Sequence, residues 1–301
     1  MYEIELVGID GANLLGYLAA LGTLRVLTQA EPGAEVRMRW AETEGWTPVV
    51  FHSRIASQNE LIGALAQRVC GRSSISPAWE IGNDLTLAMT DFRVQLEKAC
   101  ASGPEDRGPA DFLAAFGSDA LGSRSKKGQI SDTELRTMSG AGHQHFLGFM
   151  RELAEGTVAE HLRRALLDPW DYVDGRPSLR WDAADYRPHA LRAEDPSGDP
   201  IRTMRGANRL AVEALPLFPT VPERAVLRTV GFEDREAGTE VTWPIWLEPL
   251  SLNVVASLLA CEDVQKADRS TMAGRGVAQI FRAKRFTDGQ YRNFSPARAL
   301  L

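Results

Sequence analysis

Gly8-Ile9-Asp10-Gly11-Ala12-Asn13-Leu14-Leu15-Gly16-Tyr17-Leu18-Ala19-Ala20-Leu21-Gly22-Thr23-Leu24-Arg25 sets the fold class of this 301-residue chain. Apolar and polar residues alternate upstream, from Glu3 to Ile9, with the period of a strand. Asp10 to Asn13 supplies turn chemistry, and Asn13 is suited to cap the helix that follows. That helix is predicted over about Leu14 to Gln29 and is apolar on most of its circumference, so it belongs inside the molecule. Gly16, Ala19, Ala20 and Gly22 keep parts of its surface flat, which lets another backbone approach closely.

Outward from this stretch, helices and short strands alternate. Glu35 to Trp40 and Thr47 to His52 read as a strand pair, and Ser57 to Val69 as a capped helix with apolar spacing Leu61, Leu65, Val69. A helix is expected from Asp84 to Ala101, a linker from Ser102 to Pro109, and a short helix from Asp111 to Phe116. Gly117 to Gln129 reads as a loop holding Lys126 and Lys127. Leu147 to Leu167 is mostly helical with a break at Gly156-Thr157, where Thr157 is the expected cap. Asp168 to Pro200 is a long irregular connection dense in tryptophan and tyrosine. A helix from Arg205 to Leu215, strands at Val226 to Phe232 and Glu240 to Trp246, and a helix from Pro249 to Ala260 follow. A hairpin built from Gly276 to Ala283 and Gln290 to Phe294 ends the chain. The expected class is α+β, with mixed helices and small antiparallel sheets in two lobes. The boundaries are 1–102 for an N-terminal α/β lobe, 103–200 for a helical segment with the aromatic connection, and 201–301 for a C-terminal α+β lobe.

Cys70, Cys100 and Cys261 lie far apart and form no C-x-x-C pattern, so reduced thiols in a cytoplasmic protein are expected rather than a disulfide framework. Met1 to Gly8 has neither the basic nor the apolar region of a signal peptide. The longest apolar stretch, Leu14 to Leu27, contains Arg25 and is too short to cross a bilayer, so no membrane partner is expected.

Charge is distributed unevenly. The net charge is −6. The stretch from Arg269 to Arg298 nevertheless holds Arg269, Arg275, Arg282, Lys284, Arg285, Arg292 and Arg298 against the single acid Asp288. About +6 therefore sits on this stretch and about −12 on the remainder, as on an acidic body with a localised polyanion site. Phe281, Phe286, Tyr291 and Phe294 interleave with these cations, and cations beside stacking rings are the recurring recipe for single-strand binding. The competing reading is a hairpin with an apolar core face and a solvated basic face. Arg202, Arg205 and Arg209 fall at helical i, i+3, i+7 spacing and either extend the patch or form a solvated face.

Signatures of catalysis and of cofactor binding are missing from the sequence. There is no G-x-x-x-x-G-K-[ST], G-x-G-x-x-G after a strand, H-E-x-x-H or G-x-S-x-G. Ser139-Gly140-Ala141-Gly142 is suited either to present backbone N–H groups to a phosphate or merely to permit a tight helix entry. His143 and His145 stand two apart and point to different faces of a helix, with no neighbouring ligand to complete a metal set. Asp10, Asp84 and Asp119 read as turn and cap residues. No catalytic residue, metal or cofactor is expected.

The stretch from Gly8 to Arg25 resembles the opening of protein families encoded with type I-G (formerly I-U) CRISPR systems, and is similar to that of their large subunit. Pro77-Ala78-Trp79, Ser139 to Gly142, Arg205 to Ala211, Trp243 to Trp246 with Pro249 to Leu252, and Tyr291 to Ala297 follow in the same order. The chain is much shorter than that large subunit, so the resemblance points to a compact version or to the stand-alone form of the extension attached to the system's helicase-nuclease. It implies a non-catalytic role in guide-RNA-directed DNA interference, with guide RNA, target DNA and other Cas subunits as partners. Two alternatives remain beside it. One is an adaptor docking on the helicase-nuclease through Asp168 to Tyr186, and the other a metal-dependent nuclease using His143, His145 and nearby acids.

Overall fold

A computed structural model describes residues 1–103, 106–123, 127–138, 144–185, 202–236, 238–288 and 291–301. The class is α+β. Strand β1 (Tyr2–Glu5) is shorter than its alternation suggests, because beyond Glu5 the chain turns inward: Leu6 N–H donates to the Pro48 carbonyl and Gly8 N–H to that of Leu166. Asp10 ties the turn, its Oδ1 accepting from the N–H groups of Ala12 and Trp46. Helix α1 (Leu14–Ala30) starts at the expected cap, with Asn13 Oδ1 accepting from Gly16 N–H at 3.2 Å.

Strands β2 (Val36–Glu42) and β3 (Trp46–His52) form with β1 an antiparallel sheet in the order β1-β3-β2. Helix α2 (Gln58–Val69) is capped by Ser57 and buries Leu61, Ile62, Leu65 and Val69. Helix α3 (Met89–Ala101) begins later than expected, since Arg136 draws Asp84 into an ion pair at 2.9 Å and Leu87 is bridged to Ile130. After α4 (Gly108–Phe116), the stretch expected as a loop contains strand β4 (Gly117–Gly122), paired with β5 (Ile130–Asp132). Its small residues hide a strand whose stability comes from the partner. Helices α5 (Phe146–Gly156) and α6 (Ala159–Leu167) are separated at the expected break, but Val158 rather than Thr157 holds the cap position.

Helix α7 (Arg205–Ala214) leads through a 3-10 turn into the hairpin β6 (Thr220–Glu223)–β7 (Val226–Thr229). Strands β8 (Phe232–Arg235) and β9 (Gly238–Trp246) come next. Three short helices follow, α8 (Leu252–Leu259), α9 (Glu262–Lys266) and α10 (Arg269–Ala273). Strand β10 (Val277–Asp288) then pairs with β9 on one side and with β11 (Tyr291–Phe294) and β12 (Arg298–Ala299) on the other, completing a five-stranded sheet.

One hydrophobic cluster runs from Ile4 to Phe294, so the boundaries at 102 and 200 do not mark separate cores. Its centre is aromatic. Tyr17 stacks on Trp40 at 5.6 Å between ring centroids, and Trp243 and Trp246 pack around the same ring. The indole N–H of Trp243 donates to the Gly11 carbonyl and that of Trp246 to the Met38 carbonyl, both at 2.8 Å. These bonds fix the C-terminal sheet to the opening turn and to β2.

Every residue of α1 from Leu14 to Leu27 is buried, and α7 supplies the closest cover. A Cβ on Gly22 would lie 1.8 Å from the Leu210 carbonyl oxygen, which is closer than non-bonded heavy atoms approach. Arg25 within this apolar helix is matched across the contact: its Nη1 donates to Glu213 Oε2 at 2.8 Å. Arg209 takes the other oxygen, Oε1, at 2.9 Å and donates its Nε–H to the Val69 carbonyl. No described helix is long and apolar enough to cross a membrane.

Two glycine substitutions separate packing from propensity. Gly22→Val forces α1 from α7 and is expected to lower stability by about 3 kcal/mol or more. Gly63, inside α2 with nothing within 4 Å of its added Cβ, gives the opposite sign. Gly63→Ala is expected to raise stability by about 0.5–1 kcal/mol. Urea unfolding midpoints of the two variants check both.

Candidate nucleic-acid interface

The basic C-terminal hairpin divides into two electrostatic environments because β10 changes partner along its length. From Val277 to Lys284 it pairs with β9, and from Arg285 to Asp288 with β11.

On the first part, Arg282 faces inward. Its Nε–H donates to Thr242 Oγ1 at 2.8 Å, its Nη2 donates to the Gln265 carbonyl, and Glu240 lies 3.9 Å away. Glu240 is 4% exposed and also receives Arg298 at 3.0 Å and Arg235 at 3.5 Å, so three guanidinium groups converge on one buried carboxylate. Burial, and then the neighbouring Arg235, lower the Arg282 pKa. Arg282 is therefore a structural ion-pair partner and not a surface cation sharing a face with Lys284 and Arg292. Lys284 is exposed, and Arg275 is exposed but paired with Asp263 at 2.7 Å. The expected stacking rings are corrected as well. Phe281 and Phe294 are buried against Trp243 and Phe232, which leaves Phe286 half-buried. The Tyr291 side chain and Lys126 lie outside the described residues, while Lys127 is exposed beside the β4–β5 connection.

On the second part, Arg285 and Arg292 come together. Arg285 Nη2 donates to the Arg136 carbonyl at 3.0 Å and Arg292 Nη1 to the same oxygen at 3.4 Å. The Arg292 backbone N–H donates to the Thr137 carbonyl, which docks the hairpin on the segment after β5. Neither guanidinium forms an ion pair with a carboxylate among the described residues, although Glu134 and Asp132 act on Arg285 from farther off, and Arg285 Nε is buried without a hydrogen bond. Burial first, and then the Arg292 charge, push the Arg285 pKa down to about 10, which leaves it a cation at neutral pH. The Arg136 side chain is held by Asp84 and Asp132. Arg180, in the left-handed backbone region at φ 56°, donates to Asn293 Oδ1 at 3.3 Å and to Gln144 Oε1 at 3.5 Å. Arg136 and Arg180, from other parts of the chain, thus border one end of the hairpin beside Arg285 and Arg292.

Arg136 and Arg180 escaped sequence reasoning. The signal available was a basic residue lodged between large apolar ones, as in Leu179-Arg180-Trp181. The other expected cluster is not brought into one surface. Arg202 is exposed and donates to the Val173 carbonyl at 3.0 Å, Arg205 is half-buried and donates to that of Arg176 at 2.6 Å, and Arg209 is fully buried. Arg209 sits 5.1 Å from the Trp79 ring centroid, so helical spacing here reflected a core charge and not a solvated face.

The described part of the aromatic connection is fastened to the body. Trp181 is buried with its N–H on the Leu135 carbonyl, and the Tyr172 hydroxyl donates to Asp182 Oδ2. Asp182 Oδ1 in turn accepts from the Asn13 side chain at 2.9 Å. Tyr186 lies outside the described residues, as do Ser139 to Gly142 and His143. His145 precedes α5. Asp119 is paired with Arg93 at 2.7 Å. Among the described residues no three His, Cys, Asp or Glu side chains are grouped to hold a metal.

Glu240→Gln removes the carboxylate that three arginines share and is expected to cost about 3 kcal/mol. Lys284→Ala on the same hairpin is expected to change stability by less than about 0.5 kcal/mol. Chemical denaturation of both variants, followed by tryptophan fluorescence, measures the contrast.

No protein-family model matches the chain, and none of the curated proteins compared with it is a significant match.

Proposed function

We propose that this chain is a non-catalytic, nucleic-acid-contacting subunit of a type I-G CRISPR effector complex, working in the cytoplasm with guide RNA, target DNA and other Cas subunits. The observation that carries the reading is the pair Arg285 and Arg292: adjacent cations, anchored on one carbonyl, with no carboxylate ion pair among the described residues. Two guanidinium groups held this way suit successive oxygens of a sugar–phosphate backbone, which fixes a strand without reading its sequence. Base pairing with a guide reads sequence in such assemblies, so a protein subunit needs backbone contacts more than base contacts. The resemblance of Gly8 to Arg25 and of the later segments to type I-G proteins supplies the biological setting.

With Arg282, Arg298 and Arg275 engaged in ion pairs, the phosphate-contacting surface is small. Binding by the isolated chain is accordingly weak, and the patch forms one edge of a groove shared with other subunits. The remaining described aromatics of the connection are tied to the body, which favours this role over an adaptor docking through that segment.

The charge reversals Arg285→Glu and Arg292→Glu together are expected to weaken binding to a labelled single-stranded DNA at least tenfold and to reduce the slope of log affinity against log salt by about 2. Fluorescence anisotropy across a salt series measures both quantities. An affinity and a slope that match the unmodified chain would remove the assignment.

A further inference from the structure

A cavity lies away from the hairpin, where α1, α2, α4 and α7 meet. It has a volume of about 300 Å³, and its walls include Arg25, Arg68, Ser76, Trp79, Phe112 and Glu213. Behind its wall the charge is unbalanced. Glu213 offers one oxygen to Arg25 and the other to Arg209, so two cations share a single carboxylate below the surface. Arg209 is fully buried and its Nη2 has no hydrogen-bond partner. The Arg25 side chain is 4% exposed, lies 5.3 Å from the Phe112 ring centroid, and hydrogen-bonds only through Nη1 among the described residues. Arg25 is among the residues that line the cavity.

A buried cation without a full counter-charge is costly, and proteins meet that cost with an anion, a metal-free ligand group or a compensating carboxylate. Here the compensation is half complete and the cavity is open beside it. Further donors surround the opening. Arg68 is held at the rim by its hydrogen bond to the Ala30 carbonyl at 2.8 Å. The Ser76 hydroxyl accepts from Ala78 N–H, which leaves its own proton to donate. Donors arriving from different walls suit a tetrahedral oxyanion better than a planar carboxylate. Asp106 on the rim is a negative charge that disfavours a doubly ionised ligand. Ile75, Pro77 and Pro109 give the remaining wall an apolar surface on which a small planar group can lie.

We propose that this cavity binds a phosphate group, carried either by free phosphate or by a mononucleotide. The site is separate from the hairpin and does not depend on the nucleic-acid role.

Isothermal titration of the full chain with inorganic phosphate, adenosine monophosphate and adenosine tests the assignment. Saturable binding of the phosphate-bearing probes is expected, with adenosine inert. Arg68→Ala is expected to weaken binding about tenfold and Ser76→Ala a few-fold, since each removes a donor at the rim and leaves the buried arginines in place. Circular dichroism confirms that both variants fold. Tighter binding of the nucleotide assigns the apolar wall to a base, and equal binding assigns the site to free phosphate. The proposal is overturned by no saturable binding of either phosphate probe up to about 10 mM, by adenosine binding as well as its monophosphate, or by affinity unchanged in both rim variants. Arg285→Glu with Arg292→Glu serves as the control. Loss of phosphate binding in that variant would place the ligand at the hairpin and also overturn the cavity assignment.

Discussion

The carboxylate of Glu213 is the constraint on which the rest of the fold depends. Helix α1 is buried from Leu14 to Leu27, yet it carries Arg25 in its last turns. That charge enters the interior because α7 presents Glu213 at 2.8 Å, and α7 reaches that position because Gly22 lets the two backbones touch. Replacing the ions with apolar residues of similar size would stabilise many proteins as well or better. What the ions add is register, since a slide of α7 by one turn would strand Arg25 without its acid and carry Arg209 away from the Val69 carbonyl. The small residues and the ion pair therefore specify the same docking geometry by independent means.

A similar economy governs the C-terminal sheet. Seven basic residues between Arg269 and Arg298 suggest a broad cationic surface, but charge counted along a chain says nothing about where acids arrive from elsewhere. Glu240 on β9 lies opposite Lys284 on β10 and gathers Arg235, Arg282 and Arg298. Asp263 takes Arg275. What remains is a compact pair, Arg285 and Arg292, held by the Arg136 carbonyl and joined by Arg180, both from segments that share no sequence pattern with the hairpin.

Local chemistry was legible in the sequence wherever local chemistry decides the outcome. Asn13 and Ser57 cap their helices because capping involves only the next three residues. The β2–β3 pair and the buried tryptophans Trp40, Trp79, Trp243 and Trp246 follow from alternation and size. Strand β4 was not legible, since Gly117 to Gly122 has loop composition and becomes a strand through pairing with β5. Arg209 was misread for a related reason. An i, i+3, i+7 row of arginines looks the same whether it faces water or a core, and only Glu213 four residues on and Arg25 in the first helix distinguish the cases. The candidate interface was half legible: Arg285 and Arg292 belong to the basic stretch, whereas Arg136 and Arg180 join through tertiary structure.

The separation of Arg25 from Glu213 has a consequence during synthesis. The two residues are 188 positions apart. At about 5–20 residues per second, the ribosome needs on the order of ten to forty seconds to deliver the acid after it has delivered the arginine. Throughout that interval α1 has only the cover of elements made before α7, such as β2 and α2, and Arg25 has no acid. A charge buried in the first helix is therefore matched only when most of the chain exists.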